Sequence, residues 1–361
     1  MQNKPTTIKG RGAADNPPNR FERLSYIPDL DALDEDLSSP RTALFRDPSR
    51  TILSRNDSPD VGFTFSVNPY RGCEHGCIYC YARPTHEWLG FSAGLDFETK
   101  ILVKKQALQL LRAALASPRW EPQAIAMSGV TDLYQPIERQ LKLTRGCLEV
   151  FVAFRNPVAI VTKNALITRD CDLLTQLARD NAVLVIISVT TLDPQLARRL
   201  EPRASAPSKR LAAITALVQA GVPVGVNVAP IIPGLTDTET SVILKAAAEV
   251  GAQFASYTIV RLPYGVSDLF IHWLDTHYPE RKNKVLNKIR TIRHGKLNDA
   301  LWHHRMKGEG LFAETIHAMF TLACRKVGLA KRGPTLSTAS FRRPGEAAQL
   351  NLFSTHVSDF L

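Results

Sequence analysis

Short apolar runs alternate with amphipathic segments through the middle of this chain, and such runs predict buried strands followed by helices. The first strand is predicted at Phe63–Pro69, where apolar and polar residues alternate before a proline. Further apolar runs predict the strands Ala124–Ser128, Val158–Thr162, Ala182–Val189, Val222–Val228 and Phe254–Val260. Near-continuous apolar strands are typical of a parallel sheet covered by its connecting helices. The pattern therefore predicts an α/β fold with six parallel strands.

The segments between these strands carry the helical period. We predict helices at Lys100–Ala116, Ile137–Phe154, Thr168–Asp180, Lys209–Ala220 and Asp237–Val250. Strands and helices thus follow one another along residues 51–265, which we predict to form one domain.

The flanking stretches have a different composition. Residues 1–50 are rich in Pro, Asn, Asp and Arg without a sustained apolar period, which predicts a flexible extension. Residues 266–330 lack the alternation, and Leu311–Val327 is predicted there as an amphipathic helix. Residues 331–361 contain Pro, Gly and Ser and are predicted to be a flexible tail.

Composition narrows the class of protein. The chain has 361 residues, of which 44% are hydrophobic, and no apolar run long enough to span a bilayer. Its first residues lack the apolar core of a signal peptide, so we expect a cytoplasmic protein without a membrane partner. The net charge of +11 favours an anionic partner such as DNA. Residues 279–307 contain nine Lys or Arg and only two acidic residues. This basic stretch is either a helix face exposed to solvent or a surface that contacts the phosphates of a nucleic acid.

Three cysteines, Cys73, Cys77 and Cys80, lie within eight residues and indicate a metal centre. Thiolates hold iron–sulfur clusters, and three ligands on a [4Fe–4S] cube leave one iron open to an outside ligand. A zinc site completed by His75 or His86 is the alternative. Zinc sites usually contain two separated cysteine pairs, so the spacing favours the cluster.

The sequence Cys73-x3-Cys77-x2-Cys80, with Tyr79 before the last cysteine, resembles the signature of radical SAM enzymes. Residues 77–82, Cys-Ile-Tyr-Cys-Tyr-Ala, resemble more closely the spore photoproduct lyase-like branch related to DNA repair photolyases. The resemblance implies a partial (β/α)6 TIM barrel with a C-terminal helical extension. It also implies a [4Fe–4S] cluster that reductively cleaves S-adenosylmethionine (SAM) to methionine and a 5′-deoxyadenosyl radical. Tyr79 occupies the position whose ring packs near the SAM adenine.

Polar residues at three predicted strand ends resemble the SAM contacts of that branch. They are Ser128, Lys163 and Ser188. The carboxyl ends of barrel strands gather the chemistry, so we expect these side chains to meet SAM. Taken singly, the serines are also compatible with helix caps, and the lysine with a surface position.

Two further loops are candidates for cofactor binding. Arg203 follows the fourth strand and suits a carboxylate or a phosphate, or else forms a bracing ion pair with Glu201. Asn227 begins a stretch that resembles the adenine-binding segment of the family, although its Pro and Gly residues also fit an ordinary turn.

One position departs from the family pattern. Spore photoproduct lyase carries a hydrogen-donating cysteine near the end of strand two, whereas residues 124–134 contain no cysteine here. Tyr81 and Tyr134 are the candidate hydrogen donors in its place.

These features predict a radical SAM enzyme that acts on DNA in repair or modification and is reduced by a cytosolic electron donor. Radical SAM chemistry on protein, peptide or RNA is one alternative. A non-catalytic metal-containing protein that binds nucleic acid is the other.

A short motif near the C-terminus points to a protein partner. Gln349-Leu350-Asn-Leu352-Phe353 resembles the peptide with which bacterial repair proteins bind the sliding clamp. Packing of these apolar residues on the barrel is the competing interpretation.

Overall fold

The computed structural model describes residues 7–22 and 40–344. Its strands are β1 Ala43–Arg46, β2 Leu53–Arg55, β3 Phe65–Val67, β4 Tyr70–Arg71, β5 Lys100–Val103, β6 Ile125–Met127, β7 Val158–Thr162, β8 Val183–Val189, β9 Val224–Ile231 and β10 Phe254–Ile259. Its α-helices are α1 Leu95–Thr99, α2 Ala107–Ala116, α3 Glu138–Leu141, α4 Leu143–Phe154, α5 Cys171–Arg179, α6 Pro194–Leu200, α7 Pro207–Gln219, α8 Thr240–Glu249, α9 Val266–His277, α10 Lys282–Thr291 and α11 Leu311–Val327. Short 3₁₀ helices lie at Arg83–Leu89, Ala165–Asp170 and Asp237–Glu239.

The six predicted strands form a continuous parallel sheet in the order β10-β9-β8-β7-β6-β3. An antiparallel strand, β2, extends this sheet at the β3 edge to seven strands. Helices connect the parallel strands, as the apolar runs require. The prediction of an α/β partial barrel is confirmed, and the observed strands lie within a few residues of the predicted ones.

The two faces of the sheet differ in their packing. On β8, the side chains of Val183, Val185 and Ile187 are buried in the main core with α5 and α7. Leu184 and Ile186 point to the other face and are partly exposed. Alternate residues of a strand point to opposite faces, so the chain leaves an accessible inner face along the barrel.

A second, small sheet lies beside the barrel in the order β1-β5-β4. Its strand β5 corrects the predicted helix Lys100–Ala116, which begins at Ala107 because Lys100–Val103 pairs with β1 and β4. The predicted helix Ile137–Phe154 is also divided, since Lys142 adopts a left-handed conformation with φ of 52°.

The N-terminal residues within the structure are packed. Ala13 is 1% exposed, and the amides of Gly12 and Ala13 donate to the carboxylate of Glu98. Asn19 donates its side-chain amide to the carbonyls of Glu87 and Phe91. A flexible extension is therefore the wrong description for residues 7–22, because polar contacts and apolar packing both hold them.

The C-terminal region closes the barrel in two places. Arg305 pairs with Asp60 at 2.5 Å, and the Ile259 amide donates to the carbonyl of Met306. These contacts span from β10, at one edge of the sheet, to the loop that follows β2 at the other edge. Arg293 is fully buried and donates to the carbonyl of Val260, which fixes the chain after β10.

The second closure involves part of the predicted flexible tail. The Ser337 amide donates to the Asn181 carbonyl, and the Arg342 amide donates to the Phe154 carbonyl. Arg343 donates to the carbonyls of Ser117 and Trp120. These carbonyls precede β8, β7 and β6, so the segment up to residue 344 lies across the amino ends of the strands. No helix in the described part of the chain is long and apolar enough to cross a membrane.

Candidate active site

The cysteine loop runs from the end of β4 to the first 3₁₀ helix. Cys73 is 7% exposed, Cys77 is 9% exposed, and Cys80 is partly buried; all three are free thiols. The Cys73 amide donates to the Phe97 carbonyl, and the Ile78 amide donates to the Leu200 carbonyl. The loop is therefore attached on both sides by backbone hydrogen bonds.

A buried ion pair between Arg83 and Glu98 packs against the cysteine loop. Arg83 is fully buried and pairs with the carboxylate of Glu98. Its guanidinium also donates to the carbonyls of Cys77 and Gly94, at 3.0 and 2.9 Å. Gly76 adopts φ of 67°, and a Cβ there would lie 2.7 Å from Glu98 Oε2. The loop and its support thus fit together only without a side chain at position 76.

The three thiols have the chemistry that an iron–sulfur cluster requires. Burial and the neighbouring Cys73 raise the pKa of Cys80 to about 11, while Arg83 and Lys163 act in the opposite direction. Burial, with Glu201 nearby, raises the pKa of Cys77 well above that of an ordinary thiol. A cluster binds the thiolates and displaces these protons. No three His, Cys, Asp or Glu side chains of residues 7–22 and 40–344 are arranged as a ready metal site, so spacing and chemistry carry the assignment.

The histidines of the zinc alternative each have polar partners outside the cysteine loop. Nδ1 of His75 lies 3.4 Å from an Asp132 carboxylate oxygen, and Nε2 lies 3.0 Å from the Asn164 amide. Burial would lower the pKa of His75, but Asp132 and then the neighbouring Cys73 outweigh it and raise that pKa to about 10. His86 contacts the Lys100 carbonyl at 2.8 Å. Neither imidazole completes a set of zinc ligands with the cysteines.

A polar network lies between the cysteine loop and the carboxyl ends of the strands. Lys163 Nζ contacts Thr190 Oγ1 at 3.0 Å, the Ala229 carbonyl at 2.7 Å and Glu201 at 3.0 Å. The Tyr79 hydroxyl donates to the same Glu201 carboxylate. This network was not predicted, although the polar run after β8 contains Thr190 and marks a strand end.

The carboxylate of Glu201 is the centre of this network. Its second partner is Arg210, which is 2% exposed and also donates to the Ser188 carbonyl. Burial would raise the pKa of Glu201, but Arg210 and then Lys163 outweigh it and hold that pKa well below its usual range. Two cations thus surround one anion, which leaves the network with a net positive charge.

The other predicted cofactor residues lie at the same edge of the sheet. Ser188 pairs in register with Asn227, and Lys163 follows directly on the pair Thr162–Ile187. Ser128 directly follows β6, with φ of 148°, and is partly buried. The structure thus places Lys163 and Ser188 at the ends of the neighbouring strands β7 and β8, whereas Asn227 lies in the middle of β9 and not after it. The roles of the three residues toward SAM stay predictions.

Arg203 does not point into this network. Its guanidinium pairs with Glu74 at 3.0 Å and contacts Thr42, while its amide donates to the His75 carbonyl. The alternative of an ion pair between Glu201 and Arg203 is wrong, because Glu201 pairs with Lys163 and Arg210 instead. Arg203 therefore lies on the outer side of the cysteine loop.

The two candidate hydrogen donors have different surroundings. Tyr81 is 45% exposed, and its hydroxyl donates to the Gly129 carbonyl after β6. The guanidinium of Arg261 lies 4.1 Å from the centre of this ring. Tyr134 is fully buried in the main core beside Arg169. Tyr81 therefore lies at the opening of the barrel, whereas Tyr134 lies behind the strands.

Comparison with known proteins supports the same assignment. The sequence model of the radical SAM superfamily matches residues 67–247, half of the chain. The chain belongs to the radical SAM superfamily. The chain therefore uses a [4Fe–4S] cluster and SAM, and the match covers the cysteine loop, the polar network and strands β4 to β9.

Two sequence relatives are uncharacterised proteins. One, from Mycobacterium tuberculosis, is 38% identical over 220 residues, which are 60% of this chain and 65% of the relative. The other, from Methanocaldococcus jannaschii, is 29% identical over 233 residues, which are 64% of this chain and 83% of the relative. The chain thus spans somewhat less than two thirds of the mycobacterial relative.

Solved structures of spore photoproduct lyase share the fold. The complex with dinucleoside spore photoproduct is similar with a TM-score of 0.58 and 17% identity, covering 80% of this chain and 81% of that one. A variant with bound AdoMet and the same dinucleoside gives a TM-score of 0.58 and 16% identity, with 80% of each chain covered.

Proposed function

We propose that this radical SAM enzyme acts on DNA, in repair or modification. The observation that carries the proposal is the exposed Tyr81 ring beneath the Arg261 guanidinium, at the opening of the barrel and next to Cys80. An exposed aromatic ring offers a stacking surface for a base, and an arginine offers donors to a phosphate. Spore photoproduct lyase, which shares the fold, has been solved with a dinucleoside lesion, and this supports the same class of substrate.

The basic C-terminal region adds partial support. Lys282, Lys288 and Arg305 pair with Asp275, Asp237 and Asp60, and Arg293 is buried, so these four cations serve the fold. Lys284, Lys296 and Lys307 are exposed. They leave a smaller positive surface than the sequence count indicates, yet one that suits the backbone of a duplex.

The residues of the site divide the work. When bound, the reduced cluster and SAM supply a 5′-deoxyadenosyl radical able to abstract hydrogen from an unactivated C–H bond. Lys163 offers a cation to the SAM carboxylate, and Glu201 holds both Lys163 and Tyr79 in place. Ser188 and Asn227 offer polar groups to the rest of the cofactor. Tyr81 lies where a substrate enters, and we propose it as the hydrogen donor in place of the absent cysteine.

The test compares substrates with the anaerobically reconstituted, dithionite-reduced enzyme. Ultraviolet-irradiated duplex DNA, undamaged DNA, RNA and a peptide pool are each incubated with SAM in deuterated buffer. We expect irradiated DNA to raise 5′-deoxyadenosine formation and to gain or exchange deuterium in the product. Stimulation by RNA or peptide alone would contradict a DNA substrate and favour the corresponding alternative.

A pair of variants tests the position of the substrate. Arg261→Ala is expected to raise the KM for DNA about tenfold, as for the loss of one charge-assisted contact. Arg119→Ala is the matched control, since this exposed arginine lies near the amino ends of the strands. Equal KM values for both variants would place the substrate elsewhere.

Two proposals about the cellular setting follow from the same function. The cluster must be reduced by a donor, which we propose to be a cytosolic electron-transfer protein. Cytoplasmic location itself stays a proposal.

A further inference from the structure

Five arginines line two neighbouring cavities on the outer side of the cysteine loop. One cavity, of about 380 Å³, is lined by Arg11, Arg41 and Arg203. The other, of about 410 Å³, is lined by Arg198 and Arg199. Gly10 and Arg11 line both, so the two cavities adjoin. We call the surface formed by these five arginines the arginine face.

The arginine face is strongly positive. Among the described residues, Asp15 is the single carboxylate that lines either cavity. Glu74 lies nearby, but it is 3% exposed and already paired with Arg203. Arg11 is 9% exposed, and its buried Nε has no hydrogen-bond partner. Burial and the neighbouring Arg203 lower the pKa of Arg11, and the carboxylates of Glu98 and Glu74 act in the opposite direction.

The arginine face is also separated from the cysteine loop by little protein. One segment, Gly10–Ala13, lies between them, and a Cβ on Gly12 would lie 1.8 Å from the Gly76 carbonyl oxygen. The amide of Arg203 donates to the carbonyl of His75, between Cys73 and Cys77, at 3.2 Å. A hydrogen-bonded backbone path thus leads from the arginine face to the cluster ligands.

The loop presents different residues to the arginine face and to the substrate opening. His75 and Ile78 contact the side that carries the arginines, whereas Tyr81 lies at the opening with Arg261. A substrate at the opening therefore leaves the arginine face uncovered. A partner bound there stands next to the cluster without blocking the chemistry.

We propose that the arginine face is the docking surface for an acidic electron-donor protein. The proposal rests on the proposed function, since it supplies the electron that the radical SAM reaction requires. One electron leaves the reduced flavin or iron–sulfur centre of the donor, which is oxidised, and enters the cluster, which is reduced. Electron-transfer encounters use small interfaces, and complementary charge speeds their formation. A compact basic surface directly over the cluster loop fits both requirements.

The test uses the reconstituted holoenzyme and a bacterial flavodoxin in its hydroquinone form. Arg41→Glu combined with Arg198→Glu reverses two exposed charges of the arginine face and leaves the buried Arg11 and the paired Arg203 intact. Arg119→Glu combined with Arg179→Glu is the control, because it makes the same charge change on two exposed arginines near the amino ends of β6 and β8. Stopped-flow absorbance follows cluster reduction, and calorimetry gives the Kd of oxidised flavodoxin.

We expect the double variant to lose about tenfold in the reduction rate at low ionic strength and to bind flavodoxin correspondingly more weakly. The control variant should match the wild type, and dithionite should reduce all three proteins equally. An unchanged flavodoxin rate in the double variant, or an equal loss in the control, would overturn the proposal. A second outcome would also overturn it: flavodoxin binds the wild type and the double variant equally, whereas a DNA duplex or inorganic phosphate binds the wild type only. SAM cleavage with dithionite tests the proposed function separately, since no donor protein takes part.

Discussion

At the scale of single residues, the three loop cysteines differ from the other three in their surroundings. Cys147 and Cys324 are buried in the main core, and Cys171 is partly buried at the start of α5. Each of these three packs against apolar neighbours and lies away from the loop. Cluster binding should therefore depend on the loop cysteines alone.

Replacement of Cys73, Cys77 or Cys80 by Ala should remove bound iron and abolish 5′-deoxyadenosine formation, because the cube loses a ligand. Iron and sulfide per chain and the visible absorption spectrum measure the effect. Cys171→Ala is the matched control, and its iron content should equal that of the wild type. A purified protein that holds one zinc and no iron after anaerobic preparation would contradict the assignment.

Replacement of Glu201 should change both the stability of the fold and the affinity for SAM. Glu201→Gln keeps an oxygen for the Tyr79 hydroxyl but leaves Arg210 buried without its anion. Breaking a buried ion pair on one side costs roughly 3–5 kcal/mol, so the free energy of unfolding should fall by that order. SAM affinity should fall too, because Lys163 loses a contact that holds it. Chemical denaturation and calorimetry measure the two effects, and an unchanged SAM affinity would show that the network does not position the cofactor site.

The same residue makes stability depend on acid pH. The pKa of Glu201 is lower in the folded chain than in the unfolded one, because Arg210 and Lys163 overcome the effect of burial. Its stabilising contribution is therefore complete above the unfolded pKa, roughly 4.3, and is lost as the pH falls below it. The wild type should lose unfolding free energy in that range faster than Glu201→Gln. Parallel pH curves for the two proteins would contradict this account.

Residue partners were the least predictable feature from sequence. The strand-end positions of Lys163 and Ser188 follow from the apolar runs, whereas Asn227 lies within β9 because that strand continues to Ile231. The choice between Arg203 and Arg210 as partner of Glu201 depends on how the loop after β8 turns. Nothing in the spacing of the chain encodes that turn.

At the scale of elements, the cysteine loop depends on one backbone conformation. Gly76 has φ of 67°, and its missing Cβ leaves room for the Glu98 carboxylate. That carboxylate is held by Arg83 and by the amides of Gly12 and Ala13, so it has no room to move. The cysteine loop, the N-terminal segment and α1 therefore pack together around the Glu98 carboxylate.

Gly76→Ala should weaken this fit by about 1–2 kcal/mol from the left-handed conformation alone, and the contact with Glu98 adds to it. We expect reduced iron content after reconstitution and a lower Tm. Gly62→Ala is the control, since a Cβ at position 62 meets nothing within 4 Å and its φ is not positive. Equal iron content in the two variants would show that the loop adapts to a side chain.

Elements buried between helices were predictable, whereas short elements at the border of the fold were not. The apolar runs of β7 and β8 each predict a buried strand, as observed. The residues of β5 continue into the helical period of α2, so the pattern alone joins them into one helix. Their strand conformation comes from pairing with β1 and β4, which lie far away in sequence.

At the scale of the whole molecule, segments outside the repeated units complete the barrel. The Arg305–Asp60 pair connects the two edges of the sheet, and residues 330–343 cross the amino ends of the strands. These segments have polar, irregular sequences, and their order comes from hydrogen bonds to carbonyls elsewhere in the fold. Composition alone therefore assigns them to flexible regions, although the structure packs them.

This arrangement also fixes where the tail leaves the fold. The segment ending at residue 344 is anchored by Arg342 and Arg343 at the amino ends of the strands, whereas Tyr81 and the polar network lie at the carboxyl ends. The clamp-like residues Gln349, Leu350, Leu352 and Phe353 lie outside the described residues, and their role stays a prediction. A partner bound after residue 344 would hold the enzyme by the side opposite its substrate opening. Binding of this kind would raise the local concentration of the enzyme at DNA without any new contact in the active site.

We expect deletion of residues 349–353 to abolish binding to a bacterial sliding clamp, because Leu352 and Phe353 are the adjacent apolar anchors and Gln349 supplies the orienting amide. SAM cleavage and Tm should stay close to the wild-type values. Truncation after residue 330 is the informative comparison, since it also removes the contacts to Asn181, Phe154 and Trp120 and should lower the Tm clearly. Surface plasmon resonance on immobilised clamp and differential scanning calorimetry measure the two properties. A large loss of Tm in the five-residue deletion, with no clamp affinity in the intact chain, would instead assign these apolar residues to packing on the barrel.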